Sequence, residues 1–224
     1  MNRVREGKQT KEDIDQLRKR IRPYGHPDLE EVKLYIVCRK VECARINKQY
    51  LNSLPGEEIT VKSTHFLKTQ KKYNPSICMK EGTVGPTSFM DILLLKINCK
   101  VILIHNIDTS DGLTNGQLGT LIDIVRSSDG SVGKCIVEFK REKVGMKSRA
   151  NNPQYAKRYP RGTVIEKVSY SYSLSRKSTS ASTKPTLIQF PIKVAHAITA
   201  HKIQGQTIPS PIKVALDIKS VFDD

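Results

Sequence analysis

The twelve residues from Ala197 to Ile208 carry side chains that can contact phosphate or nucleic acid. Hydroxyl, imidazole, ammonium and amide groups follow a short apolar run there, with one glycine among them: Thr199, His201, Lys202, Gln204, Gly205, Gln206 and Thr207. In an open α/β sheet, ligands lie beyond the carboxyl ends of the strands. A glycine lets the backbone approach a ligand, and the amides that begin a helix favour an anion. The stretch therefore predicts a phosphate or nucleic-acid site.

The same stretch also fits an ordinary turn from a strand into a helix. In that alternative His201 caps the helix, Lys202 is solvated and Gln206 satisfies nearby backbone groups. A short motif match is by itself a hypothesis, so these residues alone leave both interpretations open.

Three apolar runs around this stretch predict buried strands. They are Val32 to Cys38, Val194 to Ile198 and Ile212 to Ile218. After the first run, apolar residues recur at helical spacing from Glu42 to Leu51, and a Pro-Gly turn follows. A strand, a helix and a turn in this order make half of a βαβ unit, which indicates an α/β domain.

Near the amino end, Thr10 and Asp13 have the spacing of a capping box. Ile14, Leu17 and Ile21 then recur at helical spacing until a proline ends the pattern. The sequence predicts a short amphipathic helix whose apolar stripe serves packing.

Short β-forming runs fill the middle of the chain, at 101–105, 120–125, 134–139, 164–172 and 186–190. Asn115 and Gly116 separate the first two runs, and this dipeptide favours a tight hairpin because both positions tolerate positive φ. The length and spacing of the four runs between residues 120 and 190 predict a small antiparallel barrel.

Two long stretches resemble one family of enzymes. QFPIKVAHAITAHKIQGQTI, residues 189–208, resembles the motif that closes the second RecA-like domain of superfamily-one DNA helicases, in the branch of the petite integration frequency (PIF) helicases and RecD. DILLLKINCKVILIHNIDTSDGLTNGQLGTLIDI, residues 91–124, resembles the PIF stretch where the chain leaves that domain for an inserted β-barrel. The opening residues, MNRVREGKQTKEDIDQL, resemble the linker that follows the first RecA-like domain.

This resemblance implies an α/β fold: a RecA-like parallel-sheet domain of the P-loop NTPase type, interrupted by a small antiparallel β-barrel of the Src-homology-3 kind. Residues 1–31 would be the linker from a first RecA-like domain. Residues 32–115 and 190–224 would form the second RecA-like domain, and residues 116–189 the inserted basic barrel. The implied activity is that of an ATP-dependent DNA helicase that moves 5′ to 3′ along single strands, in DNA replication, recombination, repair and telomere maintenance.

The resemblance also implies residue roles on the DNA side. Thr199 and His201 would contact the DNA strand, with Lys202 beside them. The family has a Thr-Asn pair after the first strand of this domain, where this chain has Cys38 and Arg39, and an Asn near the end of the next helix, which Asn47 matches. Arg39 would then reach phosphate in its own way. The implied partners are single-stranded DNA or a DNA fork and a first RecA-like domain in the same chain, with no membrane.

On the nucleotide side, Gly205, Gln206 and Thr207 would face ATP in the cleft between the two RecA-like domains. The complete enzyme would use ATP and Mg²⁺. The sequence has no GxxxxGK[ST] phosphate loop and no acidic pair for magnesium, and the family's arginine-bearing motif would lie beyond Asp224. We therefore expect no catalytic residue in this chain, no bound cofactor and no ATP hydrolysis by the chain alone.

The charge of the chain predicts a polyanionic partner. The net charge is +16, and residues 126–193 have 15 Lys and Arg against 4 Asp and Glu, an excess of 11. Tyrosines interleave with cations in this segment, as at Tyr155, Tyr159, Tyr170 and Tyr172. Such mixtures suit stacking and phosphate contact on single strands, but tyrosines of a small barrel also serve as core.

The cysteines and the hydropathy of the chain bear on its disulfides, its metal sites and its location in the cell. Five scattered cysteines without a CxxC pair predict neither a disulfide framework nor a zinc site, and a metal site of Cys38, Cys43 and His65 lacks the usual ligand spacing. No apolar run approaches the roughly 18 residues of a membrane span, and the first residues are too polar for a signal peptide. We expect an intracellular protein, in the nucleus or mitochondrion if it is eukaryotic.

Other classes of protein remain as alternatives. A non-catalytic basic module that binds nucleic acid, or a decayed helicase relic of a mobile element, would have the same charge and scaffold. A structural RNA-binding protein would explain the charge but not the order of the motifs.

Overall fold

The computed structural model describes Arg3, residues 6–23, 26–66, 79–80, 83–84, 87–172, 185–204, 208 and 212–217. Its helices are α1 Lys11–Arg18, α2 Lys40–Ser53, α3 Met146–Ala150, α4 Pro153–Arg158 and α5 Ala200–Ile203. Its strands are β1 Leu34–Val37, β2 Ile59–Lys62, β3 Thr64–Phe66, β4 Met79–Lys80, β5 Thr83–Val84, β6 Ile92–Leu95, β7 Lys100–Leu103, β8 Leu118–Arg126, β9 Val132–Phe139, β10 Gly162–Glu166, β11 Val168–Ser171, β12 Thr186–Gln189, β13 Ile192–Val194, β14 Ala197–Thr199 and β15 Val214–Leu216.

A parallel sheet with the strand order β14-β1-β15 joins the three apolar runs that predicted buried strands. The prediction of burial is wrong for β15, where Val214 is 38% exposed and Leu216 is 58% exposed. Val37 of β1 lies opposite Thr199 of β14, and Leu34 lies opposite Val214 of β15. The helix α2 packs on this sheet, where Cys43 meets Val37 and Ala197 in a small buried cluster. The predicted α/β character of this part of the chain is confirmed.

A five-stranded antiparallel sheet, β10-β9-β8-β7-β13, forms the largest layer and surrounds the main core. The predicted run 164–172 divides here, because β10 pairs with β9 whereas β11 pairs with β12 in a separate three-stranded sheet. Strands from both sides of residue 115 share the five-stranded sheet, since β7 pairs with β8. A closed barrel of the Src-homology-3 kind and the domain boundaries stay predictions.

The predicted strand Val194 to Ile198 belongs to two different sheets. β13 ends at Val194 and pairs with β7, whereas β14 begins at Ala197 and pairs with β1. The link between them is held on both sides, because the Ala195 amide donates to the Lys100 carbonyl at 2.9 Å and the Tyr35 amide donates to the His196 carbonyl at 2.8 Å. Two residues therefore connect the antiparallel and parallel sheets.

Two turns use left-handed backbone. In the turn between β7 and β8, Gly116 has a φ of 99°, and the Gln117 amide donates to the Thr114 carbonyl at 3.2 Å. Asn115 does not adopt positive φ, so only the glycine of the Asn-Gly pair needs its conformational freedom. Asn98, between β6 and β7, has a φ of 68°, which asparagine tolerates better than other residues with a side chain.

The predicted capping box at the start of α1 is confirmed. The Asp13 amide donates to the Thr10 hydroxyl at 3.3 Å, and the Thr10 amide donates to the Asp13 carboxylate at 3.0 Å. The apolar stripe is not buried among the described residues, because Leu17 is 44% exposed and Ile21 is 58% exposed. Within the described part of the chain, each helix is too short or too polar to cross a membrane.

Candidate nucleic-acid and nucleotide interface

The parallel pairing of β1 and β14 places their carboxyl ends side by side. Val37 lies opposite Thr199, so the residues that follow the two strands meet at one edge of the sheet. Arg39 and Thr199 are the N-cap residues of α2 and α5, and neither side chain makes a capping hydrogen bond. The Thr199 hydroxyl is therefore not used to cap the helix that it precedes. This edge has the position at which α/β sheets bind ligands.

Asn47 fixes β14 to helix α2. Its side-chain amide donates to the Ala197 carbonyl at 2.9 Å and accepts from the Ala197 amide at 2.8 Å. The Cys43 thiol, one turn earlier on α2, also donates to the Ala197 carbonyl, with sulfur and oxygen 3.2 Å apart. Burial raises the pKa of Cys43, which keeps the thiol protonated and able to donate. These bonds hold the backbone two residues before Thr199.

Lys202 connects α5 to the turn between β7 and β8, where its ammonium donates to the Asn115 side chain. Burial lowers the pKa of Lys202, and the nearby charge of Lys193 lowers it further. Burial also lowers the pKa of Lys193, with a further contribution from Lys40. Mutual repulsion of these cations is relieved by an anion, so the electrostatics of the edge favour phosphate.

The structure brings the four predicted DNA contacts to the same edge: Thr199, His201, Lys202 and Arg39. His201 is exposed in the first turns after β14, which leaves its imidazole accessible to a strand. The three predicted nucleotide contacts, Gly205, Gln206 and Thr207, lie outside the described residues. Their role, and the DNA contacts of the other four, stay predictions.

Lys193 and Asn115 belong to this edge and were not predicted. Lys193 stands between Ile192 and Val194 of β13. The side chains of these two neighbours point to the opposite face of the strand, where Ile192 lies in the main core and Val194 packs against it. The order apolar, charged, apolar at Ile192, Lys193 and Val194 is a sequence signal that Lys193 faces away from the core, because successive side chains of a strand point to opposite faces. Asn115 had no such signal, since its contact with Lys202 spans 87 residues of sequence.

Ser63, His65 and Asp91 form a Ser-His-Asp cluster that resembles a hydrolase site only in composition. The Ser63 hydroxyl lies 2.6 Å from His65 Nε2, and Asp91 Oδ1 lies 3.1 Å from the same nitrogen. A catalytic relay needs the acid on one ring nitrogen and the nucleophile on the other. The Ser63 hydroxyl also donates to Asp91 at 2.5 Å, so the cluster ties the β2–β3 corner to β6.

The described residues do not indicate a metal site. Among them, no three or more His, Cys, Asp or Glu side chains lie together in a way that could hold an ion. His65 is engaged with Ser63 and Asp91, and Cys43 with Ala197.

The tyrosines of the basic segment divide into two groups. Tyr172 is 4% exposed, and Tyr170 packs on Phe89 with ring centres 5.4 Å apart, so these two serve as core. Tyr155 and Tyr159 instead lie against cations, with Lys134 5.6 Å and Arg158 5.2 Å from their respective ring centres. Only the second pair has the surface setting that stacking on nucleic acid requires.

Ion pairs neutralise only part of the basic segment. Among its described residues, three cations pair with carboxylates: Lys134 with Glu166 at 2.5 Å, Arg161 with Glu138 at 3.3 Å and Arg158 with Asp123 at 3.9 Å. Further exposed cations include Arg126, Lys140, Arg141, Lys143, Lys147 and Lys157. This surface is consequently strongly positive.

Comparison of sequences relates the chain to one type of helicase. The chain is 22% identical over 210 residues to the ATP-dependent DNA helicase Pif1 of Bdellovibrio bacteriovorus, a match that covers 92% of this chain and 38% of that protein. No family model matches the chain. The chain therefore spans well under half of the length of this relative.

Solved structures agree with this relationship. Pif1 helicase from Candida albicans matches with a TM-score of 0.65 and 21% identity, over 99% of this chain and 46% of that one. Bacteroides sp Pif1 in complex with ADP-AlF4 matches with a TM-score of 0.61 and 19% identity, over 99% and 42%. Bacteroides Pif1 bound to ssDNA matches with a TM-score of 0.58 and 20% identity, over 96% and 41%. Sequence and fold together confirm the resemblance to the PIF helicases, in their RecA-like α/β part.

Proposed function

We propose that this Pif1-like chain supplies the second RecA-like domain, with its inserted β domain, of an ATP-dependent DNA helicase that moves 5′ to 3′. In this role it contributes contacts to single-stranded DNA and one side of the ATP cleft. The proposal is supported by the name of the Bdellovibrio relative, an ATP-dependent DNA helicase, and by the ADP-AlF4 and ssDNA complexes of Bacteroides Pif1.

One observation carries the proposal: the register that sets Val37 opposite Thr199, held by the two hydrogen bonds between Asn47 and Ala197. This register gathers Arg39, Thr199 and His201 at one edge of a parallel sheet. Cations, a hydroxyl and an imidazole at such an edge match the groups that proteins use on phosphate and sugar.

On the DNA side, each side chain has a role that its chemistry allows. The Thr199 hydroxyl and the His201 imidazole donate to phosphate oxygens, and Lys202 and Arg39 neutralise phosphate charge. Asn47 touches no ligand and acts by holding the backbone that orients Thr199. Contacts of this kind position a strand without reading its sequence, which suits an enzyme that moves along DNA.

On the nucleotide side, Gly205, Gln206 and Thr207 follow the DNA contacts after only a few residues. ATP with Mg²⁺ supplies the energy when it is bound in the complete enzyme. The residues of this chain would sense the nucleotide through the backbone at Gly205 and pass a shift directly to His201. DNA and nucleotide are then coupled through a single short segment.

Hydrolysis needs groups that this sequence does not contain, above all a GxxxxGK[ST] phosphate loop. The chain also spans only 38% of the Bdellovibrio relative. We infer that the chain binds DNA without turning over ATP, and that a phosphate-loop domain completes the enzyme.

Fluorescence anisotropy of a labelled oligothymidylate with the 224-residue chain tests the DNA part of the proposal. We expect saturable binding that weakens about thirtyfold in the double variant Thr199→Val, His201→Ala, since the two hydrogen bonds to phosphate each contribute about 1 kcal/mol. The matched control replaces two exposed polar residues of α2, Gln49→Val and Asn52→Ala. Equal affinity of the double variant and its control would contradict the assignment of this edge to DNA.

A further inference from the structure

A lysine cluster lies at the junction of the two sheets, away from the edge assigned to DNA. The Lys100 ammonium, at the start of β7, donates to the Lys33 carbonyl at 2.6 Å and lies 3.1 Å from His196 Nδ1. It also lies 5.3 Å from the centre of the Tyr50 ring, on which His196 stacks with ring centres 4.2 Å apart. Lys33 immediately precedes β1 and His196 immediately precedes β14, so the cluster occupies the amino ends of these strands.

This position is distinct from the candidate DNA edge. β1 has four residues between Lys33 and Cys38, and a strand rises about 3.3 Å per residue, which separates its two ends by roughly 13 Å. Arg39 and Thr199 lie at the far end. The cluster is therefore not another part of the same site.

The charges of the cluster are not balanced by ion pairs within the described part of the chain. Burial lowers the pKa of Lys100 to about 8, with further contributions from the charges of Lys33 and Lys140. Burial together with Lys100 and Lys33 lowers the pKa of His196 to about 4. Across the described residues, no carboxylate forms an ion pair with Lys33, Lys100 or Lys140.

The two hydrogen-bond partners of Lys100 use two of its three N–H groups and do not balance its charge. A carbonyl, a neutral imidazole and an aromatic face replace water around the ammonium. Neutral His196 accepts at Nδ1, so its remaining proton sits on Nε2, which can donate. Lys33 is exposed beside Lys100. Exposed Lys140 lies on the same sheet face as Lys100, two strands away, because Ile102 lies opposite Leu118 and the Leu118 carbonyl accepts from the Lys140 amide.

We propose that Lys33, Lys100 and Lys140, together with the imidazole of His196, form a binding site for a phosphate group. A tetrahedral dianion accepts several charge-assisted hydrogen bonds at once and offsets the repulsion among the three cations. A single carboxylate has fewer acceptor directions and half the charge. Inorganic phosphate and the phosphodiester of a nucleic-acid strand both present this chemistry. The site adds an anion contact at the link between the sheets, independently of the function proposed for the carboxyl edge.

Sulfate titration of the 224-residue chain, followed through the His196 ring signals by NMR, tests the site. Sulfate remains a dianion over the whole working range of pH, so any pH dependence belongs to the protein. We expect a saturable shift of the His196 signals, with an affinity that falls about tenfold in Lys100→Met, which keeps the alkyl chain and removes the charge. Lys11→Met, at an exposed lysine of α1, removes one charge elsewhere and should leave the titration unchanged.

The unaltered chain gives a second test that needs no variant. Lys100 has a pKa of about 8, so sulfate affinity should fall as the pH rises from about 7 to about 9.5 and this lysine loses its charge. His196 signals that do not move with sulfate, or affinities that are the same at both pH values or in Lys100→Met, would overturn the site.

Two further arms identify the source of the phosphate group, using inorganic phosphate and a short oligothymidylate. Movement of the His196 signals with the oligonucleotide, and its displacement by sulfate, would assign the site to a nucleic-acid strand. Movement with inorganic phosphate alone would assign it to a small anion. Movement with neither would overturn the proposal.

Discussion

Removing the side-chain amide of Asn47 should destabilise the parallel sheet and weaken DNA binding together. Asn47→Ala leaves the amide of Ala197 without its partner and the carbonyl with only the weak Cys43 thiol donor, and Ala197 is only 1% exposed. An unsatisfied buried polar group costs about 1 to 3 kcal/mol, so the loss of both bonds should cost about 2 to 4 kcal/mol. For a chain of this length that corresponds to a fall in Tm of roughly 5 to 15 °C.

Urea unfolding followed by circular dichroism measures the stability, and oligothymidylate anisotropy on the folded protein measures the site. Asn52→Ala is the matched control, because Asn52 is exposed on the same helix and should cost less than about 0.5 kcal/mol. The folded Asn47 variant should also bind DNA less tightly, since Thr199 is no longer held in place. If Asn47→Ala and Asn52→Ala had the same unfolding free energy, the clamp would have no energetic role and the reasoning would be refuted.

Three further outcomes are expected. The 224-residue chain should show no ATP hydrolysis above a blank in a phosphate-release assay, with or without DNA; turnover that purifies with the chain would refute this. Replacing exposed Arg141, Lys143 and Lys157 with Gln should lower the slope of log affinity against log salt by up to about 2, since each phosphate contact contributes about 0.7. An unchanged slope would show that this surface does not contact DNA. The pKa of His196 falls from 6.5 to about 4 on folding, so the unfolded state binds more protons than the folded state between these pH values. The free energy of unfolding should therefore drop by about 2 to 3 kcal/mol as the pH falls through this range. In urea titrations, His196→Phe should remove this contribution to the pH dependence of stability.

The carboxyl edge of the parallel sheet was largely predictable from sequence. Apolar runs marked β1, β14 and β15, and polar residues after a buried strand marked Thr199, His201 and Lys202. Local physics decides both features for β1 and β14, because burial sets the apolar pattern and chain direction sets which end is polar. Burial does not explain the apolar run of β15, which is exposed at Val214 and Leu216. The capping box of α1 was predictable for the same reason.

Features that depend on distant pairing were not predictable. The apolar run, interrupted only by His196, gave no sign that β13 and β14 enter different sheets, because burial alone does not choose a strand's partner. The family resemblance singled out Asn47, but its bonds with Ala197 join residues 150 positions apart and had no local signal. From the sequence, Tyr170 and Tyr172 fitted a surface position as well as a core position. Their burial depends on the pairing of β11 with β12, which lies later in the chain.

The central claim is that one short segment joins DNA to nucleotide, and paired titrations test it most directly. The enzyme is completed with a phosphate-loop domain, and each variant is titrated separately with an ATP analogue and with single-stranded DNA. His201→Ala should weaken DNA binding and leave the ATP analogue nearly unaffected, because it removes a strand contact only. Gly205→Val should do the reverse, because a β-branched side chain blocks close approach of the backbone to nucleotide. Equal loss of both ligands in both variants, or loss of neither, would contradict the division of roles within Ala197 to Ile208.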